Sequence, residues 1–266
     1  MRNNDQSIYS KLQRISSTLL INGGFLPNLG LYTGEMGLVL FFYKYARLTK
    51  NESYSKYSYN LLKKIQNNIY SYMPVDYKQG LTGIGSTIEY LKQNGYLNID
   101  TDDILYEFDK QIFFTYNLPH LIIDKIADIG YYALWRIAGN SVQKDMIINS
   151  IIPQIVRVME KWEASENITH PTVSFFKDII SSKKVTALQN RLIISNWFQL
   201  CRNNNSIEEQ LQGYDHALPL PKFDLGIQAG LAGLGLSLIS EIDGDDSWLS
   251  LFPNDLTQSK NESLLV

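Results

Sequence analysis

Three histidines and one cysteine are the side chains with which this chain could bind a metal ion or carry out nucleophilic chemistry. His120, His170 and His216 are far apart in the sequence, and no two of them have the i, i+4 spacing of metal ligands on one helix face. Cys201 follows an apolar segment and is the only cysteine, so it cannot form a disulfide within the chain. Such a cysteine is most often a buried, unreactive thiol. By themselves these four residues form no recognisable metal-binding motif.

Carboxylates and histidines close to glycine-rich segments are the candidates for acid–base catalysis. Glu35 lies in the first such segment, where its carboxylate could bind a cationic group or cap its own helix. Asp76 comes four residues before a glycine of the second segment. His120 and His216 precede two further segments, and His216 directly follows an aspartate. A structural role is the commoner one for each of these residues, so both roles stay open.

The glycine-rich segments recur at intervals of about fifty residues. Three copies share a Gly-Leu start and a fourth is degenerate: residues 30–37 (GLYTGEMG), 80–85 (GLTGIG), 230–235 (GLAGLG) and 128–134 (DIGYYAL). The separations are 49, 47 and 103 residues when four glycines serve as markers, namely Gly34, Gly83, Gly130 and Gly233. Because the last separation is about twice the others, a unit without its glycine is expected near residues 171–180.

Glycines at the start of apolar helices need a structural reason, since glycine costs about 1 kcal/mol relative to alanine inside a helix. Close approach of neighbouring backbones at the narrow inner wall of a ring or solenoid is such a reason. Flexible glycine loops are the alternative, but three copies with the same start favour packing.

An amphipathic helix follows each glycine-rich helix, so the repeating unit is predicted to be a helical hairpin. The clearest case is residues 54–72, whose apolar side chains recur at i, i+3, i+4 spacing until Pro74. The later members are residues 104–113, 142–162 with a kink at Pro153, and 185–200.

Two end helices remain without an obvious partner. Residues 8–19 form an amphipathic helix near the N-terminus, and residues 231–242 form a glycine-rich helix with no second helix after it. If these two pair, ten helices make five hairpins in a closed ring. Otherwise the chain is an open solenoid with capped ends. Residues 1–242 are predicted to form one domain, and residues 243–266 a loosely ordered tail.

Composition excludes several classes of function. The 266 residues are 44% hydrophobic, which is enough for a globular core, and 24 Lys+Arg against 27 Asp+Glu give a net charge of -3. Without a basic excess, neither nucleic acid nor an anionic membrane is an expected partner. No uncharged apolar run approaches the ~18 residues of a membrane-spanning helix, and the N-terminus lacks the apolar core of a signal peptide. We therefore expect a cytoplasmic protein.

The three glycine-rich copies at residues 30–37, 80–85 and 230–235 resemble the inner-helix repeat of the lanthionine synthetase C-like family. Residues 80–112 are similar to the short members found in Bacteroidetes. The resemblance implies an all-α fold, an (α/α) toroid of about five helical hairpins with glycine-rich inner-helix starts around a central cavity. It also implies relatives that add cysteine thiols to dehydroalanine or dehydrobutyrine in modified peptides, using a zinc ion held by two cysteines and one histidine.

This chain departs from the family pattern at the zinc ligands. The adjacent cysteine and histidine of the family correspond to Gln228 and Ala229, and one cysteine in the whole chain cannot supply a two-cysteine site. We therefore expect neither zinc nor another cofactor, and no zinc-dependent thioether cyclisation. The resemblance offers Asp76 as the counterpart of a catalytic aspartate. Tyr32 within the first glycine-rich segment, and Gln79 and Gln228 just before the second and the last, are candidates for substrate binding.

The leading hypothesis is a bacterial, cytoplasmic pseudoenzyme that binds a peptide substrate or a peptide-modifying enzyme in peptide natural-product modification. The alternative is a non-metal (α/α)-barrel enzyme, a peptide cyclase or a glycan-active protein, with acid and base residues in a rebuilt cavity. Aromatic side chains filling that cavity would contradict this alternative. A third possibility is a repeat scaffold that binds protein on its outer surface.

Overall fold

The structure is a computed structural model that describes residues 3–69, 73–115, 123–166, 171–182, 192–199, 224–228 and 230–253. Every regular element in these ranges is a helix, and they contain no β-strand. The prediction of an all-α protein is confirmed.

Twelve α-helices are numbered here in chain order: α1 (Asn3–Asn22), α2 (Glu35–Thr49), α3 (Glu52–Asn67), α4 (Leu81–Gln93), α5 (Thr101–Ile104), α6 (Tyr106–Lys110), α7 (Ile123–Ala138), α8 (Lys144–Met146), α9 (Ile152–Glu166), α10 (Pro171–Ser182), α11 (192–199) and α12 (Leu231–Asp243). Two π-helical turns, Gln111–Thr115 and Ile147–Ile151, follow α6 and α8. Two 3-10 turns, Gly23–Phe25 and Ser247–Leu251, follow α1 and α12.

The hairpin of α2 and α3 shows how the repeating unit is built. The Asn51 side chain caps α3 by accepting a hydrogen bond from the backbone N–H of Ser53. The apolar stripe of α3 packs on α2, where the Phe42 ring meets Tyr57 edge-on at 4.8 Å between centroids. A buried hydrogen bond of 2.9 Å from the Ser58 hydroxyl to the Val39 carbonyl joins the two helices. The hairpin predicted from the periodicity is therefore present.

The first and last of the described α-helices pack against each other. Helix α1 packs on α12, α12 packs on α2, α2 contacts α4, and α4 packs on α7. On the far side of α7, the Phe176 ring of α10 lies against Gly130. The pairing of the first and last helices, on which the closed-ring prediction depended, is thus observed. The fold is an α/α toroid, with the glycine-rich helices adjacent to one another and α1, α3, α6 and α9 as their second-layer partners.

The glycine-rich helices all begin in the same way. Gly34, Gly80 and Gly230 are the N-cap residues of α2, α4 and α12, each in an extended conformation. The first residue of each helix donates its N–H to the carbonyl seven residues earlier, at 2.8 to 3.0 Å. Gly34 is therefore equivalent to Gly80, whereas the sequence markers matched it with Gly83. Because each segment contains closely spaced glycines, the sequence allows Gly34 to be matched with Gly80 or with Gly83. The backbone hydrogen bonds at the helix starts select Gly80.

The loop before each helix folds back over the helix start and leaves no room for a side chain there. A Cβ atom at Gly83 would lie closer than 3.0 Å to the Tyr77 carbonyl, and one at Gly233 would meet the Ile227 carbonyl in the same way. The predicted close approach is thus mainly an approach of each helix to its own preceding loop.

A second set of glycines accepts aromatic rings from the next helix of the ring. Phe41 of α2 packs against Gly235, Tyr132 of α7 against Gly85, and Phe176 of α10 against Gly130. In each pair a Cβ atom on the glycine would overlap the ring, so these glycines set the spacing between adjacent helices.

Two predicted long helices are interrupted by π-turns. The stretch predicted over residues 104–113 is divided among α5, α6 and a π-turn, and the expected kink near Pro153 appears as the π-turn Ile147–Ile151. Pro153 has no N–H to donate, so the preceding turn loses a regular hydrogen bond and widens. Left-handed residues follow the ends of α4 and α7, at Gly95 and Asn140, with φ of 70° and 58°.

Candidate functional site on the inner face of the ring

The inner face is defined by the sides of α2, α4 and α12 that point away from their second-layer partners. On α2, Glu35 faces α3, and Lys44 follows nine residues later, which places it on the opposite side of the helix. Tyr90 of α4 and Ser240 of α12 are equivalent to Lys44, because each lies ten residues after its N-cap glycine. One position of the repeat thus presents an amine, a phenol and a hydroxyl to the inside.

The C-terminal segment, defined as residues 245–252, covers this face. Its 3-10 turn packs on α4, and the side chains of Trp248, Leu251 and Phe252 are at most 1% exposed. The loosely ordered tail predicted from residue 243 onward is therefore packed as far as residue 252, and residues 254–266 lie outside the described range. This packing was not predicted, because the apolar residues of the segment occur in short stretches between aspartates and serines.

Lys44 is the charged anchor of the C-terminal segment. Its side chain is fully buried, and Nζ donates to Asp245 Oδ2 at 2.7 Å and to the Asp245 carbonyl at 3.0 Å. Burial alone would raise the pKa of Asp245, but the hydrogen bonds from Lys44 and Ser247 outweigh it and lower the pKa to about 2. The carboxylate is therefore ionised at neutral pH and compensates the buried ammonium.

Neutral hydrogen bonds and ring contacts hold the rest of the C-terminal segment. The Tyr90 hydroxyl and the Ser247 hydroxyl are 2.8 Å apart, and burial strongly raises the pKa of Tyr90. Trp248 Nε1 donates to the Ser240 hydroxyl at 2.8 Å. The Phe252 ring meets Tyr32 edge-on at 5.1 Å between centroids.

Aromatic side chains continue the inner face beyond the C-terminal segment. Trp135 of α7 meets Tyr90 edge-on and stacks on Phe198 of α11, and Tyr131 stacks on Trp197. The described part of the interior is thus lined by packed rings. This arrangement argues against a rebuilt acid–base cavity at that place.

The three residues predicted to bind substrate lie on adjacent loops at the mouth of the ring. The Tyr32 carbonyl accepts hydrogen bonds from the N–H groups of Ile227 and Gln228, at 2.7 and 3.2 Å. The Tyr32 N–H donates to the Lys78 carbonyl at 3.0 Å, next to Gln79. Tyr32, Gln79 and Gln228 are therefore brought together, although their function remains a prediction.

The predicted acid and base residues are not brought together in the described structure. Asp76 is occupied within its own loop, where its carboxylate accepts the Gln79 N–H at 2.7 Å. Glu35 is buried against α3 and accepts a hydrogen bond of 2.5 Å from Lys64. The remaining candidates lie outside the described residues, as do the other histidine and the cysteine: His120, His216, His170 and Cys201.

A buried cluster of charged side chains around Arg136 was not predicted from the sequence. The guanidinium, with no exposed side-chain surface, binds Asp109 at 2.7 Å, Asp102 at 2.7 Å and also Glu89. Tyr132 donates a further hydrogen bond of 2.7 Å to Asp109. The carboxylates belong to three different helices, so nothing in the local sequence indicates that they share one arginine.

The pKa values of the three carboxylates in the cluster are shifted in different directions. Burial raises the pKa of Glu89 and of Asp109, in both cases against the effect of Arg136. Within the described part of the chain, Glu89 Oε2 has no hydrogen-bond partner, and it faces Gly139, where a side chain would overlap it. At Asp102, hydrogen bonds from Ser141, from the Val142 N–H and from Arg136 outweigh burial and lower the pKa. This cluster joins α4 to α5, α6 and α7 and is structural.

Comparison with known proteins adds the family. A family model described as lanthionine synthetase C-like protein matches residues 27–172, which is more than half of the chain. The chain belongs to the lanthionine synthetase C-like family. The resemblance stated from the glycine repeats is confirmed. No curated protein and no solved structure gives a match.

The family's zinc centre does not fit the residues present here. The resemblance places Gln228 at the position of a family cysteine, and a glutamine amide is not among the usual zinc ligands. Within the described residues, no three or more histidine, cysteine, aspartate or glutamate side chains are grouped so as to hold a metal ion. Since the chain has one cysteine, no arrangement of the remaining residues could rebuild a two-cysteine site.

None of the described helices combines the length and the apolar character that a membrane span requires.

Proposed function

We propose that this lanthionine synthetase C-like chain is a pseudoenzyme of peptide natural-product modification, which acts in the bacterial cytoplasm and binds a peptide or a peptide-modifying enzyme without zinc. Active relatives, as the family resemblance implies, bind a modified peptide in the centre of the toroid. We propose that this chain still binds a peptide but does not catalyse the metal-dependent addition of a thiol.

The observation that carries the proposal is the way the inner face holds a peptide segment. Residues 245–252 are bound through a buried ion pair, two side-chain hydrogen bonds and packed rings. These are the interactions by which proteins bind peptides in general. An inner face that can hold one such segment has the chemistry to hold another.

Metal analysis and a thiol assay together test this proposal. Protein purified without added zinc is expected to contain far less than one zinc per chain. A peptide carrying one dehydrobutyrine and one cysteine is expected to bind, with a change in fluorescence anisotropy, and to keep its thiol available for alkylation. One zinc per chain together with protein-dependent loss of the thiol would show a working cyclase instead.

One observation favours the outer-surface scaffold as a second function. Ile21 and Phe25, at the end of α1 and in the following 3-10 turn, are 74% and 83% exposed. Adjacent exposed apolar residues are typical of protein-binding surfaces. If this surface binds the partner, Phe25→Asp abolishes capture of a peptide-modifying enzyme and leaves binding of the free peptide unchanged.

A further inference from the structure

We infer that the inner face of α2, α4 and α12 is a binding site for acidic, aromatic peptides, and that the C-terminal segment occupies this site until such a peptide displaces it. The ligand class is a peptide with a carboxylate, an aromatic residue three positions later and a second one four positions after that, as in Asp245, Trp248 and Phe252. This inference rests on the proposed peptide-binding function and names its ligand.

The ion pair defines the first requirement of the site. Both hydrogen-bond acceptors of Lys44 belong to Asp245, and no surface of the lysine side chain reaches solvent. When the segment leaves, the ammonium stays on the inner wall without a carboxylate. A ligand that covers this wall again buries the ammonium, and a buried charge without a partner is costly, so the site favours a ligand that brings a carboxylate to Lys44.

Hydroxyl groups supply the second requirement. Ser240 accepts from Trp248 Nε1 and donates to the Asp245 carbonyl at 2.8 Å, so it contacts both a ligand side chain and the ligand main chain. One turn before Tyr90, on the same face of α4, the Ser86 hydroxyl is fully buried and has no hydrogen-bond partner among the described residues. A bound peptide longer than the C-terminal segment could satisfy this hydroxyl.

Burial of the two rings supplies the third requirement. Trp248 and Phe252 pack edge to face at 5.6 Å between centroids, and each is 1% exposed. Buried aromatic side chains in well-packed pockets contribute most of the binding free energy in many peptide complexes. A peptide with small residues at these positions is expected to bind weakly.

The attachment of the C-terminal segment allows its exchange. Gly244 joins it to α12 in a left-handed conformation with a φ of 73°, and there is open space where its Cβ would be. The Asp245 side chain is 36% exposed, so the ion pair lies at the solvent end of the site, where displacement can begin. A tethered segment competes at an effective concentration on the order of millimolar, so a free peptide binds the wild-type chain more weakly than a chain whose segment is weakened.

A fluorescence anisotropy titration of the full-length chain tests the inference. The probe is a fluorescein-labelled peptide with the sequence of residues 243–253 (DGDDSWLSLFP). Trp248→Ala in the protein weakens its own segment and is expected to tighten probe binding about tenfold relative to the wild-type protein. Adding Lys44→Met to Trp248→Ala is expected to reverse this gain, whereas Lys56→Met, which removes an exposed positive charge, leaves it unchanged.

Substitutions in the probe peptide test the same contacts from the side of the ligand. Asparagine at the position of Asp245, or alanine at that of Trp248, is expected to weaken binding to the Trp248→Ala protein about tenfold. Circular dichroism confirms that each variant is folded. If Trp248→Ala fails to fold, Asp245→Asn, at a partly exposed position, replaces it as the weakened protein. Equal probe affinity for wild-type and weakened proteins, or binding that does not depend on Lys44, overturns the inference.

The outcomes separate this site from the proposed function. Probe binding as expected, together with zinc-dependent thiol addition, would keep the site and reject the pseudoenzyme. Binding of the dehydrobutyrine peptide that is unaffected by Lys44→Met, without probe binding, would keep the peptide-binding function and reject this site.

Discussion

At the scale of single residues, Arg136 is a charged group whose burial in the described core requires several ionised or polar partners. It is fully buried between three carboxylates, and every bond it makes crosses from α7 to a neighbouring helix. Removing the guanidinium would leave buried carboxylates unpaired, which costs more free energy than the cluster itself contributes.

Arg136→Met is therefore expected to destabilise the fold by about 3 to 5 kcal/mol. Lys56→Met is the matched control, because Lys56 pairs with Glu52 on α3 while both side chains are largely exposed, and such pairs contribute about 0.5 kcal/mol or less. Urea unfolding followed by circular dichroism measures both. A loss below about 1 kcal/mol for Arg136→Met would contradict the buried cluster.

Glu89 makes the stability depend on pH. Burial raises its pKa in the folded chain, so the carboxyl is neutral in both states below the ordinary pKa and ionises more readily in the unfolded chain above it. The wild-type chain is therefore expected to lose stability relative to Glu89→Gln as the pH rises from about 4 towards neutrality. Urea unfolding of both proteins at several pH values checks this. A stability difference that grows in favour of the wild-type chain would be the opposite result.

Lys44, Tyr90 and Ser240 were not predicted as site residues, for a physical reason. The inner face is recognisable only when the helices are aligned at their N-cap glycines, and the marker register matched Gly34 with Gly83 instead of Gly80. A lysine, a tyrosine and a serine within apolar helices share no chemical pattern, so only their equivalent positions relate them. Aligning the copies at the Gly-x-x-Gly spacing that begins at Gly34, Gly80 and Gly230 would have been the signal.

At the scale of elements, the sequence contained most of the information about the hairpins. The apolar stripe of α3 follows from local periodicity, although the helix ends at Asn67 and not at the predicted stop before Pro74. The start of α2 in a glycine-rich segment was likewise predicted. The π-turns and the division of residues 101–115 were not, because they depend on packing against α4 and α7. The Arg136 cluster joins these irregular elements and was missed for the same reason.

The glycines at the helix starts give a sharp test at this scale. Gly83→Ala would place a Cβ against the Tyr77 carbonyl, and we expect a loss of about 2 to 3 kcal/mol from this overpacking. Gly24→Ala is the control, since no atom lies within 4 Å of its Cβ position. Thermal unfolding compares the two with the wild-type chain. Equal melting temperatures for both variants would mean that the Gly83 loop does not cover the start of α4.

At the scale of the whole molecule, α1 joins the two ends of the chain. Ile15 is fully buried and lies near Gly235 at the junction of α1, α12 and α2. Closure of this side of the ring was predictable because two helices lacked partners, whereas the packing of residues 245–252 inside it was not.

Ile15→Ala is expected to destabilise the entire toroid by about 2 to 5 kcal/mol in one cooperative transition. Ile21→Ala, on the same helix but 74% exposed, is expected to change stability by about 0.5 kcal/mol or less. Circular dichroism and tryptophan fluorescence should give coincident unfolding curves for Ile15→Ala. Early loss of α1 alone, with the remaining transition unchanged, would show that α1 is an appendage.

The central claim is that this lanthionine synthetase C-like toroid covers its inner face with its own C-terminal segment. Hydrogen–deuterium exchange of the full-length chain tests it most directly, because the N–H groups of Leu249 and Phe252 are hydrogen-bonded within a buried turn. We expect residues 247–252 to exchange far more slowly than an unstructured peptide and to lose part of this protection in Lys44→Met. Exchange at the rate of an unstructured peptide in the wild-type chain would contradict the account.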